Sequence, residues 1–335
     1  MNAGVQVFLY PEELEHTGPE ELAAQVLGLG CDAVSVAVAY HRGRRVFPRH
    51  RRVSVLTRTT VYVEPDARRY GALVPEGTAT PALHRFREAC DRAGLRFRAW
   101  VVGLHNDSLA AAHPEAAAQL SDGSPAGHSL CPSAPAAVEY VAALASDIAA
   151  QLGPEAVDLE AAFYPAWDPS YTLTLALDPL TGEEKLDWAQ CFCSACGATP
   201  DRAEGARRLV EAVATAVHEQ GSLLRVFASG PPEQAALQGV SPRSVAAADA
   251  VLFGCGPLAG DELQDRFGGL RSVAGRSGAV STNWTPDRTD LAGDAERLAA
   301  AGAEGLALYN LSLAPVAGLE AFRLAAHAFR EAVPA

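Results

Sequence analysis

Eight short apolar runs recur along the chain with room for one helix between each pair, and that alternation narrows the fold more than any other feature. The runs are "VQVFLY" (5–10), "AVSVAVAY" (33–40), "RFRAWVVGL" (96–104), "AVDLEA" (156–161), "LLRVFAS" (223–229), "AVLFG" (250–254), "GAVSTNW" (278–284) and "GLALYNL" (305–311). Each is of strand length and rich in Val, Phe, Leu and Ala. Between them, stretches such as "PEELAAQVLGL", "PALHRFREACDRAG", "PAAVEYVAALASDIAAQLG" and "AEGARRLVEAVATAVHEQG" carry the spacing of amphipathic helices. Strands alternating with helices, without an interposed linker, predict a single (β/α)8 barrel over residues 1–335. A doubly wound sheet is the competing arrangement, but no glycine-rich phosphate turn follows the first strand.

Loop lengths mark one end of this barrel as the working end. Gly30, Gly94, Gly153, Gly221 and Gly302 stand where helix C-caps belong, so helix-to-strand connections are short. Strand-to-helix connections are long after the second, third and fourth strands, over 41–79, 105–132 and 162–200. The first of these is expected to carry its own hairpin, "RRVSVLTRTTVYVEP". In such barrels the long loops at the strands' C-terminal ends build the site.

Side chains on a strand alternate between its two faces, so Asp158 and Glu160 in "VDLEAAFYP" point the same way, into the barrel, with Glu160 at its mouth. A partly desolvated carboxyl there has a raised pKa and suits acid or base work. Glu160 and, one layer deeper, Asp158 are therefore the candidate catalytic residues. An ion pair with Arg225 on the next strand is the structural alternative. The same end gathers Tyr40, His41 and Arg42 after the second strand, and His105 and Asn106 after the third. Tyr164 follows the fourth, Asn283 and Trp284 end the seventh, and Tyr309 and Asn310 end the eighth. Aromatic faces for the C–H side of a ring, with planar polar groups for hydroxyls, suit a polyhydroxylated ligand. Trp284 and Tyr309 are expected to hold the ring, with His105 and Asn106 on its hydroxyls.

Charge and rare residues remove other chemistries. A formal net charge of −13 argues against a nucleic-acid partner. No apolar run reaches membrane-spanning length, and "MNAGVQVFLY" lacks a signal-peptide pattern, so a cytoplasmic, reduced setting is expected. Lys185 is the only lysine and sits in polar "LTGEEKLDW", which argues against Schiff-base chemistry. Arg42, Arg44, Arg45, Arg49, Arg51 and Arg52 form a basic stretch. It reads first as a solvated hairpin paired with surplus acids and second as a trap for an acidic substituent. In "CFCSAC", Cys191, Cys193 and Cys196 have chelate spacing for zinc, with Cys131, Cys255 or a strand-end His as the fourth ligand; plain thiols are the alternative.

The segments "YHRGRRVFP", "VYVEPDARRYG", "LHNDSLAAAHPEA", "SLCPSAPAAVEYV", "VDLEA" and "CFCSACG", in this order over roughly residues 5–200, resemble a family of bacterial glycoside-hydrolase-like barrels without an established activity. The resemblance implies a (β/α)8 fold and a sugar-related pocket, with the strand-four acid at Glu160 and the cysteine loop at Cys191, Cys193 and Cys196. The chain is also distantly similar to family 18 glycosidases, whose fourth strand ends D-x-x-D-x-D-x-E. The register gives Glu155, Asp158 and Glu160, then Ala162 in place of the acid that protonates the leaving group there. Strand seven has no Glu, and the nearest second acids are Asp158, Asp168 and Asp287. Three functions follow. The first is an enzyme on a glycoside or sugar-like small molecule with Glu160 as general acid/base tuned by Asp158. The others are a metal-assisted lyase or isomerase of a polyol using His41, His105 and Glu160, and a non-catalytic carbohydrate-binding pseudo-glycosidase.

Overall fold

A computed structural model describes residues 4–165, 191–197, 201–288 and 290–333. Asp168 and Lys185 lie outside the described residues. Eight parallel strands close into a barrel: Gly4–Leu9, Ala33–Tyr40, Arg96–Val102, Ala156–Glu160, Leu223–Ser229, Ala250–Gly254, Ala279–Asn283 and Gly305–Tyr309. Each pairs with the next in sequence, and the first pairs with both the second and the eighth, so the barrel has no open edge. Helices fill the crossovers. Pro81–Ala93 and Pro135–Leu152 both open on a proline, whose missing N–H costs nothing in a first turn. They close on Gly94 (φ 69°) and Gly153 (φ 54°), in the left-handed region a side chain would resist.

Strand parity sorts the side chains as the sequence suggests. On the fourth strand Val157 and Leu159 join the apolar layer beneath the helices, while Asp158 and Glu160 face inward. The barrel interior is itself layered. At its lower level Asp158 is fully buried, accepting from Ser35 Oγ (2.6 Å) and Gln6 Nε2 (3.3 Å), with Arg225 Nε 3.1 Å from its other oxygen. Arg98 donates to Gln6 and to Glu155 (2.8 Å), which extends this network across the first five strands and the turn before the fourth. Burial pushes the Asp158 carboxyl up, to about 6, against the pull of Arg98 and its two donors. Above this level an aromatic layer takes over, with Phe8, Trp100, Leu252 and Ala307 packed together. A buried ion pair of this type adds little net stability, yet removing one partner leaves an uncompensated charge at a cost of about 3–5 kcal/mol.

The loop after the second strand does carry a hairpin, but it lies earlier than the sequence suggests. Gly43–Phe47 pairs antiparallel with Arg52–Leu56 around a turn that begins at Pro48, and Arg51 (φ 53°) takes the left-handed position. Thr60–Val61, expected within the hairpin, instead adds antiparallel to the end of the second strand. The hairpin is latched to the first βα turn: Arg45 donates to Glu12 (2.7 Å), Arg49 to Glu13, and His50 Nε2 lies 2.7 Å from the same Glu13 oxygen. Arg45 and Arg49 thus pair with acids, as in the first of the two readings, but as buried rather than solvated side chains. No helix among the described residues is long and apolar enough to cross a membrane.

Candidate active site

Glu160 ends the fourth strand, and the chain turns out of the barrel immediately after it through Ala161, whose φ of 55° is a strained position for a residue with a Cβ. Gly103 donates to the Glu160 carbonyl (2.8 Å), so the backbone is fixed on the third-strand side. The carboxyl projects into a cavity of about 460 Å³ at the mouth. Tyr40, Trp100, Phe227, Asn283 and Tyr309 line it on the barrel side, and Ser229, Gly230 and Cys255 to Leu258 line it beyond the fifth and sixth strands.

Trp100 holds the site together. Its residue pairs with Asp158 in the strand ladder, yet its indole N–H reaches up to donate to Glu160 Oε2 at 2.6 Å. Its ring meets Phe8 (5.1 Å between centroids), Tyr40 (4.7 Å), Tyr10 (5.6 Å) and Tyr309 (5.8 Å), mostly edge-on. Above it, Tyr10 Oη lies 2.7 Å from Tyr309 Oη and 3.2 Å from Tyr40 Oη, and the Arg45 guanidinium covers the Tyr10 ring at 4.0 Å. In this apolar setting burial pushes the Glu160 carboxyl up to about 7, although the Trp100 hydrogen bond pulls the other way. A carboxyl poised there can give and take a proton near neutral pH.

The residues anticipated from sequence divide sharply. Glu160, Tyr40, Asn283 and Tyr309 come together in the cavity. His41 stacks on Tyr40 (4.4 Å) at the rim and meets His105 at 6.1 Å, which in turn meets His128 at 5.5 Å. Arg42 is exposed and sits 3.7 Å from Asp107.

Other anticipated residues lie outside this cavity, in contacts within the fold. Asp158 belongs to the lower network with Arg225, and Trp100 rather than Asp158 tunes Glu160. Asn106 is buried as the cap of the helix Asp107–Ala112, accepting from Leu109 N–H and donating to Tyr140. Asn310 likewise caps the turn Leu311–Leu313 through Ser312 N–H. Tyr164 is buried beside Ser133 and Cys196, away from Glu160. Asp287 is exposed on the loop after the seventh strand. Trp284 packs on Gly318 of the helix Val316–Ala332, where an added Cβ would stand 3.2 Å from the indole. It faces a separate cavity of about 150 Å³.

The cysteine loop meets a partner that spacing could not select. Cys131, after the third strand, joins Cys191, Cys193 and Cys196, and all four Sγ atoms lie within 4.8 Å of one another. Cys131 and Cys196 Sγ are 3.3 Å apart, and Cys193 and Cys196 Sγ 3.7 Å. Backbone N–H groups of Gln119 (3.4 Å) and Ser133 (3.3 Å) point at the sulfurs of Cys191 and Cys131. Among the described residues this is the one group of metal-ligating side chains so drawn together, and His41, His105 and Glu160 do not form another.

No family model matches the chain, and no curated protein matches it in sequence. Solved structures match its fold, and those compared are glycoside hydrolases. The α-L-fucosidase isoenzyme 2 from Paenibacillus thiaminolyticus aligns with a TM-score of 0.58 at 12% identity, over 97% of this chain and 49% of that one. The chain thus spans about half of that enzyme. The PgaB (BpsB) glycoside hydrolase domain from Bordetella bronchiseptica gives 0.58 at 15% identity, over 96% and 98% of the two chains. A chitinase from Chromobacterium violaceum gives 0.53 at 12%, over 96% and 99%. At such identities the likeness speaks for the fold alone, a (β/α)8 barrel of the kind these enzymes have.

The packing of Trp284 yields a test. Trp284→Ala should cost roughly 2–4 kcal/mol of stability, somewhat below the cost for a fully buried tryptophan, measured by urea unfolding. A variant as stable as the parent would return the indole to ligand binding.

Proposed function

We propose that this protein is an enzyme acting on a glycoside or sugar-like small molecule, with Glu160 as its general acid. The observation that carries the reading is the Glu160 carboxyl itself, held by Trp100 in an aromatic cavity at the barrel mouth with its pKa pushed up to about 7. A protonated carboxyl in that position gives its proton to the leaving-group oxygen as the C–O bond breaks. The resulting carboxylate then takes a proton from an incoming water. The rings of Trp100, Tyr40 and Phe227 offer apolar faces to a sugar's C–H surface. Asn283 and the Tyr309 hydroxyl supply polar partners on the same wall. Glu160 is the one carboxylate lining the cavity among the described residues, so both proton transfers fall to it.

The four cysteines suit a structural zinc. Tetrahedral Zn–S bonds of about 2.3 Å place ligand sulfurs about 3.8 Å apart, close to the 3.7 Å of Cys193 and Cys196. Four thiolates leave no open position, so such an ion would supply folding energy rather than chemistry. It would tie the loops after the third and fourth strands together.

Glu160→Gln should lower turnover of aryl glycosides by at least about 10², because the amide keeps the shape and cannot transfer the proton. Activity of the parent should be highest while Glu160 is protonated and should decline as pH rises through about 7. The same linkage sets stability. A carboxyl whose folded pKa lies above its ordinary 4.5 is penalised increasingly from there to about 7. Glu160→Gln should therefore be about 1–3 kcal/mol more stable than the parent at pH 8, and equally stable near pH 4. Retained activity, or a loss of stability at pH 8, would contradict the assignment.

Protein purified without an affinity metal should contain about one zinc per chain by elemental analysis. Cys131→Ser and Cys196→Ser should each lower that content, and a chelator should lower the melting temperature. Metal-free protein with unchanged stability in chelator would favour plain thiols.

A further inference from the structure

Among the described residues, Arg266 is the one basic side chain lining the cavity that holds Glu160. It stands on the helix Gly260–Ala274, four residues after Glu262, in the order and spacing that most favour a surface ion pair. No such pair forms, and among the described residues Arg266 has no carboxylate at ion-pair distance. Its charge acts instead on the Cys255 thiol, another lining residue of the cavity.

The contrast with other arginines near the mouth is informative. Arg45 and Arg49 are spent on Glu12 and Glu13, and Arg42 faces Asp107 outside the cavity. Glu160, the one lining carboxylate among the described residues, is already engaged by Trp100. The wall beyond the sixth strand therefore presents a partly buried guanidinium without a compensating anion among the described residues, in a cavity also lined by Ser229, Ser281 and Asn283. A planar fork of donors in such a place matches a carboxylate or a phosphate or sulfate ester, and matches a neutral hydroxyl poorly.

We propose that Arg266 binds an anionic substituent of the substrate, so that the sugar-like ligand is an acidic one. The inference rests on reading the cavity as a glycoside site and adds the charge of its occupant.

Calorimetric titration of the full chain with four probes tests it without relying on turnover: methyl glucoside, methyl glucuronide, glucose 6-phosphate and glucose 6-sulfate. At least one acidic probe should bind about tenfold to a hundredfold more tightly than the neutral glucoside, and the one that does identifies the anion. That preference should shrink as salt is raised. Arg266→Gln should erase it while leaving binding of the neutral probe and the melting temperature unchanged, since Arg266 makes no ion pair. Arg266→Lys should keep part of it. Neutral and acidic probes binding alike, or a preference that survives in Arg266→Gln, would overturn the proposal. Failure of all four probes to bind would count against the glycoside reading and against this proposal with it.

Discussion

Much of the barrel interior depends on one indole. Trp100 separates a lower level of paired charges from an upper level of aromatic rings, and its N–H is the hydrogen bond that holds Glu160. Without that plane, Glu160 and Asp158 would share one polar shaft with Arg98 and Arg225. Their carboxyls would then be subject to the same nearby cations. With it, Asp158 is sealed into a network with Ser35, Gln6 and Arg225, while Glu160 meets rings and a single donor. Two acids two residues apart on one strand thus acquire different chemistry, because one layer of aromatic packing gives them different surroundings.

The loops continue this separation of roles. Glu12 and Glu13, on the turn after the first strand, take up Arg45, Arg49 and His50 and so draw the hairpin after the second strand over the Tyr10 and Tyr40 rings. The sulfurs of Cys131 and of Cys191, Cys193 and Cys196 bring the third and fourth loops together. Arg288, buried against Asp294, donates to the Asn283 carbonyl (2.6 Å) and fixes the end of the seventh strand.

The barrel and Glu160 were legible in the sequence because both follow from period: eight apolar runs at regular intervals, and inward parity on the fourth strand. The same parity places Arg98 and Trp100 inward, so the partner of Glu160 could have been found by extending the argument to the neighbouring strand. Asn106, Asn310 and Trp284 were not separable by such reasoning. An asparagine at a strand end can cap the following turn or face a ligand, and the local path of the backbone decides which. Both asparagines cap. Trp284 has the same ambiguity, and only the fold shows its indole packed at Gly318, thirty-four residues later, where the missing side chain leaves room for it. Spacing gave three cysteines; the fourth required the fold to bring Cys131 across from another loop.

A direct titration of the Glu160 carboxyl by carbon NMR, with its resonance assigned by comparison with Glu160→Gln, tests the central claim. The account predicts a midpoint near 7, set by burial among aromatic rings. A midpoint close to the ordinary 4.5 would mean that the carboxyl is solvated and ionised at neutral pH. That result would remove the proton on which the proposed chemistry depends.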